Sequence, residues 1–519
     1  MTLTTPPERR KVGIGTAIGY GVTDIFGGGS MALIGTWLLF FYTTFCGLSM
    51  LEASSIFAIA RIIDAILSPI MGYITDKFGT TRLGKRFGRR RFFLLISAPM
   101  MFIYSLVWVS DMGYWYYLGT YLAVELLVAM VLVPWETLAA EMTKDFGERT
   151  RMAAVRLTFS QIGVFLATAI PGIMIQYLGK DSAMTFTYTG ILFSTLFFIV
   201  VLITYFSTWE SKDLNPEEFE RINSGPRMGL LAHLGNMFKE LVTTFKIKVF
   251  RQHLIIYISS FTALDIFIAV FVYFVVYGLH QDAANASAYL SIATSVSIPS
   301  TLLFMLFLDK MNVRPAIAMR ISYLCIFAVL GYLIMLYVGH VAVTSLWLTT
   351  LIFILLGFGR AGLYFIPWNI YSFIPDVDEM VTRQRREGVF AGVMTLTRKS
   401  TVAVAIMVVG TILEENNFVK GQLVQPESAL HAISGLLVFG TGGLLLISLY
   451  MTFKFKLTRE THRVLVKEIE RLKGGGSKAD CPQETQMIAK DLTGYDYDKL
   501  WPEDHKSGKN INIETSKGI

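Results

Sequence analysis

The sequence predicts an all-α membrane protein of twelve transmembrane helices, arranged as two six-helix halves. Hydrophobic residues make up 53% of the 519 residues and charged residues only 16%. A soluble domain carries about a quarter charged residues, so this chain has too little charge to cover a surface that faces water. The mean hydropathy of +0.52 agrees, and long apolar stretches recur along the chain. Lipid is therefore the solvent for most of the surface.

The twelve predicted spans follow from length and hydropathy. A helix that crosses a membrane needs about 20 mainly apolar residues, and such stretches alternate with short polar breaks. The spans are residues 17–45, 52–75, 92–110, 114–142, 157–178, 184–207, 252–278, 288–308, 316–338, 345–374, 389–413 and 429–453. The N-terminus runs into the first span without a cleavage pattern, so we expect this helix to be retained.

Polar segments divide the chain into four parts. We assign residues 1–207 to the first half, 208–251 to a middle loop, 252–453 to the second half and 454–519 to a tail. Apolar residues recur at helical spacing between Leu230 and Phe245, which predicts an amphipathic helix on the membrane face or under the bundle. The tail has a helix-like run (THRVLVKEIERLK) and a GGGS hinge. We expect it to be solvated, with partner docking or regulation of an inward gate as the alternative.

Lysine and arginine are concentrated in alternate loops. The loops after the second, eighth and tenth spans are basic, and the loop after the fourth carries Lys144, Arg149, Arg151 and Arg156. Basic loops face the cytoplasm, so we expect a multi-pass protein of the cytoplasmic (inner) membrane with both termini inside. The net charge of +7 does not indicate nucleic acid, because the basic residues are divided among loops.

The loop after the second span is a candidate gate. Its run GTRLGKRFGRRR resembles a polybasic lipid-binding segment, and we expect it to contact the phosphate headgroups of membrane lipid and to close an inward gate. We assign this gating role to Asp76, Arg89 and Arg90.

The sequence contains no motif that favours an enzyme. HExxH, GxSxG, P-loop and paired Cys/His patterns are absent from plausible loops. The three cysteines, Cys46, Cys325 and Cys481, are too scattered for a disulfide scaffold or a cysteine metal site. We therefore expect no catalytic activity and no cofactor, with a small-molecule substrate as the partner.

Charges inside the spans of the first half are candidate functional residues, because a charge at the bilayer centre costs at least about 2.5 kcal/mol. Asp24 lies in the first span beside Gly27–Gly29, which allow close approach of a backbone or a ligand. Arg61, Asp64 and Ser68 share one stripe of the second span. A carboxylate there suits a sodium ion or a proton, and a structural ion pair is the alternative for both aspartates.

The fourth span carries Glu125 and Glu136 on one face, about 16 Å apart along the helix. Trp135, beside Glu136, either stacks on a sugar ring or packs in the membrane. In the second half the candidate charges are Asp265, Arg360, Arg398 and Lys399. We expect only one of Arg398 and Lys399 to point inward, since adjacent residues of a helix face different directions.

Four segments, in this order, resemble the glycoside-pentoside-hexuronide:cation symporters, the melibiose-permease-like branch of the major facilitator superfamily. They are ARIIDAILSPIMGYITDKFG, RLGKRFGRRRFF, PWETLAAEMTKDFGERTR and PDVDEMVTRQRREGVFAGVMTLTRKS. The resemblance implies the major facilitator fold and cation-coupled symport of a sugar or glycoside by alternating access between two halves.

The resemblance also implies roles for individual residues. Asp24 is similar to a first-helix aspartate that binds sugar hydroxyls, and Asp64 to a second-helix aspartate of the cation site. Lys399, twelve residues after Glu387, matches an eleventh-helix lysine near both sites. We assign substrate binding to Asp24, Trp135, Glu136 and Lys399, and cation coupling to Asp64, Ser68 and Arg61.

Two departures from the family pattern leave alternatives open. Ser68 stands where the family has a second acidic cation ligand, so Asp64 binds a metal ion only if transport is sodium-coupled, and a proton on Asp64 or uncoupled transport competes. Leu132 stands at the position of a sugar-binding aspartate. The alternatives for function are a transporter of lysolipids or other amphiphiles with the same fold, and a transporter-like sensor that signals through its tail.

Overall fold

The structure, a computed structural model, is built from helices, and no β-strand occurs in the residues it describes. Those residues are 11–143, 145–179, 182–210, 243–339, 346–383, 386–422 and 424–502. Within them, 11 helical segments are long and apolar enough to cross a membrane, which confirms the all-α membrane fold. The amphipathic helix expected near Leu230 lies outside the described residues, as do residues 503–519 of the tail.

The first half forms six spans, and two of these spans are interrupted. Its helices are α1 (Ile14–Gly21), α2 (Asp24–Leu33), α3 (Leu39–Thr44), α4 (Met50–Phe78), α5 (Arg82–Phe87), α6 (Arg91–Met100), α7 (Ile103–Leu106), α8 (Tyr114–Met142), α9 (Phe146–Leu178) and α10 (Met184–Ser207). Helices α1 to α3 make up the first span. A turn at Val22 and Thr23 separates α1 from α2, and the π-helical segment Ile34–Leu38 joins α2 to α3.

The third span is shorter than the sequence predicts. Residues 91–106 form an apolar segment below the length of the other spans, and α6 is separated from α7 within it. Pro99 lies in the last turn of α6, where its ring removes a backbone donor. The next turns use tighter bonds, with the Met101 N–H donating to the Ala98 carbonyl at 3.1 Å and the Tyr104 N–H to the Met101 carbonyl at 3.0 Å.

The second half forms the other six spans. Its helices are α11 (Lys248–Tyr273), α12 (Ala283–Asp309), α13 (Pro315–Val338), α14 (Leu346–Tyr371), α15 (Ile374–Thr382), α16 (Glu387–Glu415), α17 (Glu427–Gly435) and α18 (Thr441–Lys454). The π-helical segment Phe274–Gly278 ends the seventh span, and Leu436–Gly440 joins α17 to α18 in the twelfth. The first and seventh spans, which occupy equivalent places in the two halves, therefore both carry a π-helical segment.

The halves meet along two pairs of helices. Helix α4 of the second span packs against α16 of the eleventh, and α9 of the fifth packs against α12 of the eighth. At one end of the bundle the Thr43 Oγ1 lies 2.7 Å from the Tyr273 hydroxyl, and the Lys420 ammonium donates to the Gly47 carbonyl at 2.6 Å. These contacts close the space between the halves at this end.

The two ends of the bundle differ in charge. We call the end that carries Gly47 and Lys420 the distal face, and the end that carries Arg89 and Arg386 the basic face. The described hydrogen bonds and ion pairs that join the halves lie between mid-membrane and the distal face. Glu136, on the basic-face side of α8, keeps half of its side chain exposed.

Residues 454–502 of the tail are folded against the basic face, which corrects the expectation of a solvated segment for this part of it. Helices α19 (Arg459–Lys473) and α20 (Gln483–Thr493) follow the twelfth span, and α19 coincides with the predicted helix-like run. His462 Nε2 lies 2.8 Å from Asp376 Oδ2, and Lys473 Nζ lies 2.6 Å from Glu379 Oε1. Both carboxylates belong to α15, so the tail is attached to the second half.

The predicted GGGS hinge is a structured turn. The Gly476 N–H donates to the Arg471 carbonyl at 3.0 Å, and the Arg471 guanidinium donates to the Ser477 carbonyl at 3.0 Å. Gly475 adopts φ +85°, a conformation that favours glycine. The glycines therefore end α19 and turn the chain towards α20.

Candidate functional site

The break in the first span places Asp24 in the interior of the first half. Asp24 is the first residue of α2, where the exposed N–H groups of a helix start favour a negative charge. Its Oδ2 lies 3.0 Å from the Nε of Arg156. Sequence analysis had placed Arg156 in a basic loop, and the structure corrects this, because α9 begins at Phe146 and carries Arg156 three turns into the bundle.

Arg156 also joins two predicted residues of the fourth span. Its Nη2 lies 2.6 Å from Glu136 Oε1, and its guanidinium lies 4.5 Å from the Trp135 ring centroid. The Trp135 indole N–H donates to the Tyr20 carbonyl at 2.8 Å, and the two rings stack at 5.2 Å. Asp24, Trp135 and Glu136, three of the four residues assigned to substrate binding, therefore lie together through Arg156 and Tyr20, which sequence reasoning missed. Lys399, the fourth, is not part of this cluster.

Small residues allow this convergence. A Cβ atom added at Gly28 would lie 2.7 Å from the Ser160 carbonyl oxygen, and one at Gly29 would lie 3.1 Å from the Gly163 carbonyl oxygen. Helix α2 therefore approaches α9 more closely than side chains would permit. The close approach expected of the glycines beside Asp24 serves helix packing.

A second cluster joins the two halves at mid-membrane. The Lys399 ammonium of α16 lies 2.7 Å from Asp64 Oδ2 and 2.7 Å from the Ser68 hydroxyl. The Ser68 hydroxyl donates to Asp64 Oδ1 at 3.3 Å. Asp64 is 2% exposed, so a buried carboxylate of the first half is neutralised by a cation of the second.

Arg61 does not pair with Asp64, although the two residues share one stripe of the second span. Its Nη1 lies 3.3 Å from Glu125 Oε1 of the fourth span, and both terminal nitrogens lie 3.3 Å from the Met31 sulfur. Glu125 and Glu136 therefore differ in burial and in their ion-pair partners, although one helix carries both. Glu125 is buried against Arg61, whereas Glu136 is half exposed and bound to Arg156.

The expectation that only one of Arg398 and Lys399 points inward is wrong. Arg398 Nη2 donates to Asp265 Oδ1 at 2.8 Å within the second half, while Lys399 pairs with Asp64 in the first half. The two side chains diverge around α16, and each finds a carboxylate in the direction it faces. The long side chains allow both to remain in the interior.

The ion pairs repeat between the halves. Arg156 of the fifth span pairs with Asp24 of the first, and Arg398 of the eleventh pairs with Asp265 of the seventh. Arg398 thus lies six spans after Arg156, and Asp265 lies six spans after Asp24. This is the relation expected of halves repeated about an axis along the membrane normal.

The aromatic partners repeat as well. Pro134 and Trp135 of the fourth span correspond to Pro367 and Trp368 of the tenth. Trp368 lies 5.7 Å from the Tyr257 ring of the seventh span, as Trp135 lies against a tyrosine of the first. This Pro-Trp repeat is visible in the sequence and would have identified the fourth and tenth spans as equivalent.

Arg360 lies halfway along α14 and has a different environment. Its Nη1 donates to the Thr294 hydroxyl at 3.3 Å, and its guanidinium lies 5.4 Å from the Tyr364 ring centroid. No carboxylate among the described residues forms an ion pair with it. No described side chain therefore neutralises the charge of Arg360.

The predicted gate residues are held within the first half. Arg89 Nε donates to Glu141 Oε1 at 3.2 Å, and Arg90 Nη1 lies 2.5 Å from the same oxygen. Their backbone N–H groups both donate to Glu210 at 2.8 Å. The side chain of Asp76 lies outside the part of the chain that the structure describes, so its gating role stays a prediction.

A cavity of about 740 Å³ lies elsewhere, on the basic face between α12, α14 and the tail helix α19. Phe365, Phe373, Arg463 and Lys467 are among its lining residues. None of the predicted site residues lines it. The charge clusters at mid-membrane, rather than this cavity, therefore define the candidate site.

Twelve spans in two repeated halves, with an equivalent buried ion pair inside each half, define an integral membrane transporter. The family described as MFS/sugar transport protein matches residues 19–459, and the chain belongs to that family. Its relatives include proteins named as symporters, an isoprimeverose transporter and a glucuronide carrier homologue, in agreement with the resemblance to the glycoside-pentoside-hexuronide:cation branch. The family and these relatives are transporters and not enzymes.

Three relatives cover most of the chain. An uncharacterized symporter of Synechocystis is 26% identical over 89% of this chain and 97% of its own. The glucuronide carrier protein homolog of Escherichia coli is 23% identical over 88% and 96%. The sodium-dependent lysophosphatidylcholine symporter 1-A of Danio rerio is 21% identical over 90% of both chains.

A solved structure supports the fold. The nucleoside transporter NupG superimposes with a TM-score of 0.56 at 15% identity, covering 85% of this chain and all (100%) of its own. At that identity the likeness concerns the fold alone.

Proposed function

We propose that the protein is a secondary active transporter that carries a sugar or glycoside together with a proton or sodium ion by alternating access. The observation that carries this proposal is the Asp64–Lys399 pair, which joins the halves at 2.7 Å in mid-membrane. Rocking of one half against the other must break or rearrange that pair. A cation that competes for Asp64 therefore changes the equilibrium between the two states.

The substrate site is proposed around Asp24, Trp135, Glu136 and Arg156. Carboxylate and guanidinium groups supply both acceptors and donors for hydroxyl groups, and an aromatic face suits the apolar face of a sugar ring. Glu136 is the exposed member, with half of its side chain accessible. The name of the Escherichia coli relative, a glucuronide carrier homologue, agrees with a glycoside substrate.

The coupling site is proposed around Asp64. Ser68 and Asp64 together offer few oxygen ligands for sodium, which prefers several, and the Lys399 ammonium occupies them in this conformation. An incoming cation must therefore displace Lys399. Lys399 is released towards the substrate space when that happens, which gives it the second, substrate-binding role assigned from sequence.

The basic face is proposed to be cytoplasmic, in the inner membrane, with both termini on that side. The concentration of arginine and lysine in its loops supports this orientation. The distal face is closed by Thr43, Tyr273 and Lys420. With that orientation the structure corresponds to a state closed to the outside.

A lysolipid substrate is the second candidate. The leucine at position 132 makes the wall beside Asp24 apolar, since its Cδ2 lies 3.5 Å from the position of a Cβ added at Gly27. The Danio rerio relative, named for lysophosphatidylcholine, covers 90% of both chains.

Uptake into proteoliposomes separates the two candidates. Purified protein is tested with labelled neutral glycosides, labelled acidic glycosides and labelled lysophosphatidylcholine, with Asp24→Asn as the binding-site variant. We expect saturable uptake of at least one glycoside that Asp24→Asn reduces. Uptake of lysophosphatidylcholine alone would replace the glycoside proposal with the second candidate.

A further inference from the structure

Glu125 is a fully buried carboxylate that the proposed function does not use. It is 1% exposed. The Tyr121 hydroxyl lies within reach of its carboxylate, but neither carboxylate oxygen has a well-aligned hydrogen-bond donor among the described residues. Its ion pair with Arg61 Nη1 is long, at 3.3 Å. The Arg61 guanidinium points towards the Met31 sulfur instead, and the Arg61 Nε is buried without a hydrogen-bond partner in the described residues.

The other buried carboxylates of the spans are better satisfied. Asp64 receives Lys399 and the Ser68 hydroxyl, and Asp378 receives two nitrogens of Arg386 at 2.6 and 2.8 Å. A buried ionised group without hydrogen-bond donors costs free energy, because it has lost its water. A proton on Glu125 removes that charge and lets the carboxyl act as a donor.

The surroundings of Glu125 connect it to the bridge between the halves. The charged groups near it are Arg61 and Asp64 of α4 and Lys399 of α16. The titratable groups that face it from its own helix and from α7 are the hydroxyls of Tyr121 and Tyr104. Arg61 and Asp64 are three residues apart on α4, so they lie on one face of that helix.

We propose that Glu125 is the proton-carrying group of this transporter. Transfer of a proton to a Glu125 oxygen forms a neutral carboxyl and frees Arg61 from its counter-charge. Arg61 then turns to Asp64, three residues away, and competes with Lys399. The bridge between the halves loosens, and loss of the proton restores the Arg61–Glu125 pair. This inference rests on the proposed ion-coupled transport and assigns a proton as the coupling ion.

Infrared difference spectroscopy tests the proton directly. Purified protein in a lipid film is titrated, and the carbonyl stretch of a protonated carboxylic acid is followed. Exposed carboxyls also give such a band in acid, so the band of interest is the component that comes from a carboxyl shielded from water. We expect this component to appear on acidification in the wild type and to be missing in Glu125→Gln. Glu136→Gln, a matched change at the half-exposed glutamate of the same helix, should retain it. A band that persists in Glu125→Gln, or that is lost in Asp64→Asn instead, would overturn the assignment.

A distance measurement tests the consequence for the halves. Spin labels are placed at Lys85 and Met311, exposed residues on the basic face of the two halves. The distance distribution should change with pH in the wild type, whereas Glu125→Gln should give the acid distribution at every pH. A pH response equal to that of the wild type in Glu125→Gln contradicts the proposal. If Glu125→Gln does not fold, Glu125→Asp, which keeps a carboxyl, should shift the titration, and an unshifted titration contradicts it.

The experiments distinguish failure of the glycoside proposal from failure of the Glu125 assignment. If no glycoside is taken up but the band and the distance still titrate through Glu125, the proton site stands and the substrate assignment falls. If glycoside is taken up and Glu125→Gln retains both signals, the proton assignment falls and the transport proposal stands.

Discussion

Arg398 and Lys399 are consecutive residues of one helix, yet their side chains pair with carboxylates of different halves. Arg398 binds Asp265 within the second half at 2.8 Å, and Lys399 binds Asp64 across the interface at 2.7 Å. The first pair repeats the Arg156–Asp24 pair of the other half. The second has no such counterpart among the described ion pairs, and it must change when the halves move.

Substitutions of Asp64 and Lys399 should have strongly non-additive effects on the stability of the protein. Lys399→Met leaves Asp64 buried without its cation, and breaking a buried pair this way costs about 3–5 kcal/mol. Asp64→Asn removes the charge that needs the lysine. We therefore expect the melting temperature of the detergent-solubilised protein to fall in Lys399→Met and to recover partly in the double variant. Additive effects of the two changes would show that the residues do not interact.

Arg156 should not tolerate replacement by lysine. Its guanidinium binds Asp24 through Nε and Glu136 through Nη2 while lying over Trp135, and a lysine ammonium does not reproduce that fork. Loss of one hydrogen bond to a charged group costs about 1.5–3 kcal/mol, so we expect substrate affinity to fall about 10- to 100-fold in Arg156→Lys.

Arg151→Lys is the matched control, five residues earlier on the same helix, where the guanidinium donates to the Val12 carbonyl. Affinity is measured by isothermal titration with the glycoside found in the uptake panel. Equal losses of substrate affinity in the two variants would show that Arg156 has no specific role in substrate binding.

The distal face should open when its hydroxyl contacts are removed. Tyr273→Phe deletes the hydrogen bond to Thr43, which spans 2.7 Å between the halves. A typical hydrogen bond contributes about 1 kcal/mol, so the population open at the distal face should rise about 5-fold.

Spin labels at Met112 and Val424, exposed residues near the distal face, report that population. Tyr450→Phe, an exposed tyrosine of the twelfth span, is the control. A distance distribution in Tyr273→Phe that matches the control would show that this contact does not hold the face closed.

Docking of the tail should weaken in acid. The Lys456 ammonium, 2.8 Å from Asp491, lowers the pKa of that carboxyl. Burial raises the pKa of Glu468, but hydrogen bonds from Arg471 and Tyr497 outweigh burial and lower it overall. A lowered pKa means that the folded tail prefers the ionised carboxyl. The stabilisation is therefore complete above the usual carboxyl pKa and is lost as the pH falls through the lowered value.

Cys481 reports that release, because it is 6% exposed in the docked tail. A dipyridyl disulfide, which reacts with thiols in acid, is applied to a Cys46→Ser, Cys325→Ser protein. Labelling should accelerate as the pH falls through the carboxyl range, and Asp491→Asn should show faster labelling already at neutral pH. A rate in Asp491→Asn equal to that of the parent at neutral pH would contradict a stabilising role of Asp491.

Sequence predictions agree best with the structure for features that depend on a single helix. Hydropathy located the spans, and helical spacing placed Asp64 and Ser68 together. Contacts between side chains of different helices could not be predicted in that way, because a sequence does not show which helices pack against each other. Arg156 was misplaced because its helix extends well beyond the apolar stretch, and the tail was misread because its polar residues bind α15 instead of water.

The departures have separate causes. The third span is interrupted directly after Pro99, where proline removes a helix hydrogen bond. Arg398 and Lys399 were treated as alternatives because adjacent residues diverge on a helix, and that divergence is what lets them serve two halves. The Pro-Trp repeat was a sequence signal for the equivalent spans that periodicity alone does not reveal.

Gradient-driven accumulation in proteoliposomes tests cation coupling through Asp64 most directly. Wild-type protein and Asp64→Asn are given the labelled glycoside with an imposed proton gradient, an imposed sodium gradient, or neither. We expect accumulation above equilibrium in the wild type under one gradient only, and equilibration without accumulation in Asp64→Asn. Accumulation that is equal in both proteins, or independent of any gradient, would contradict cation coupling through Asp64.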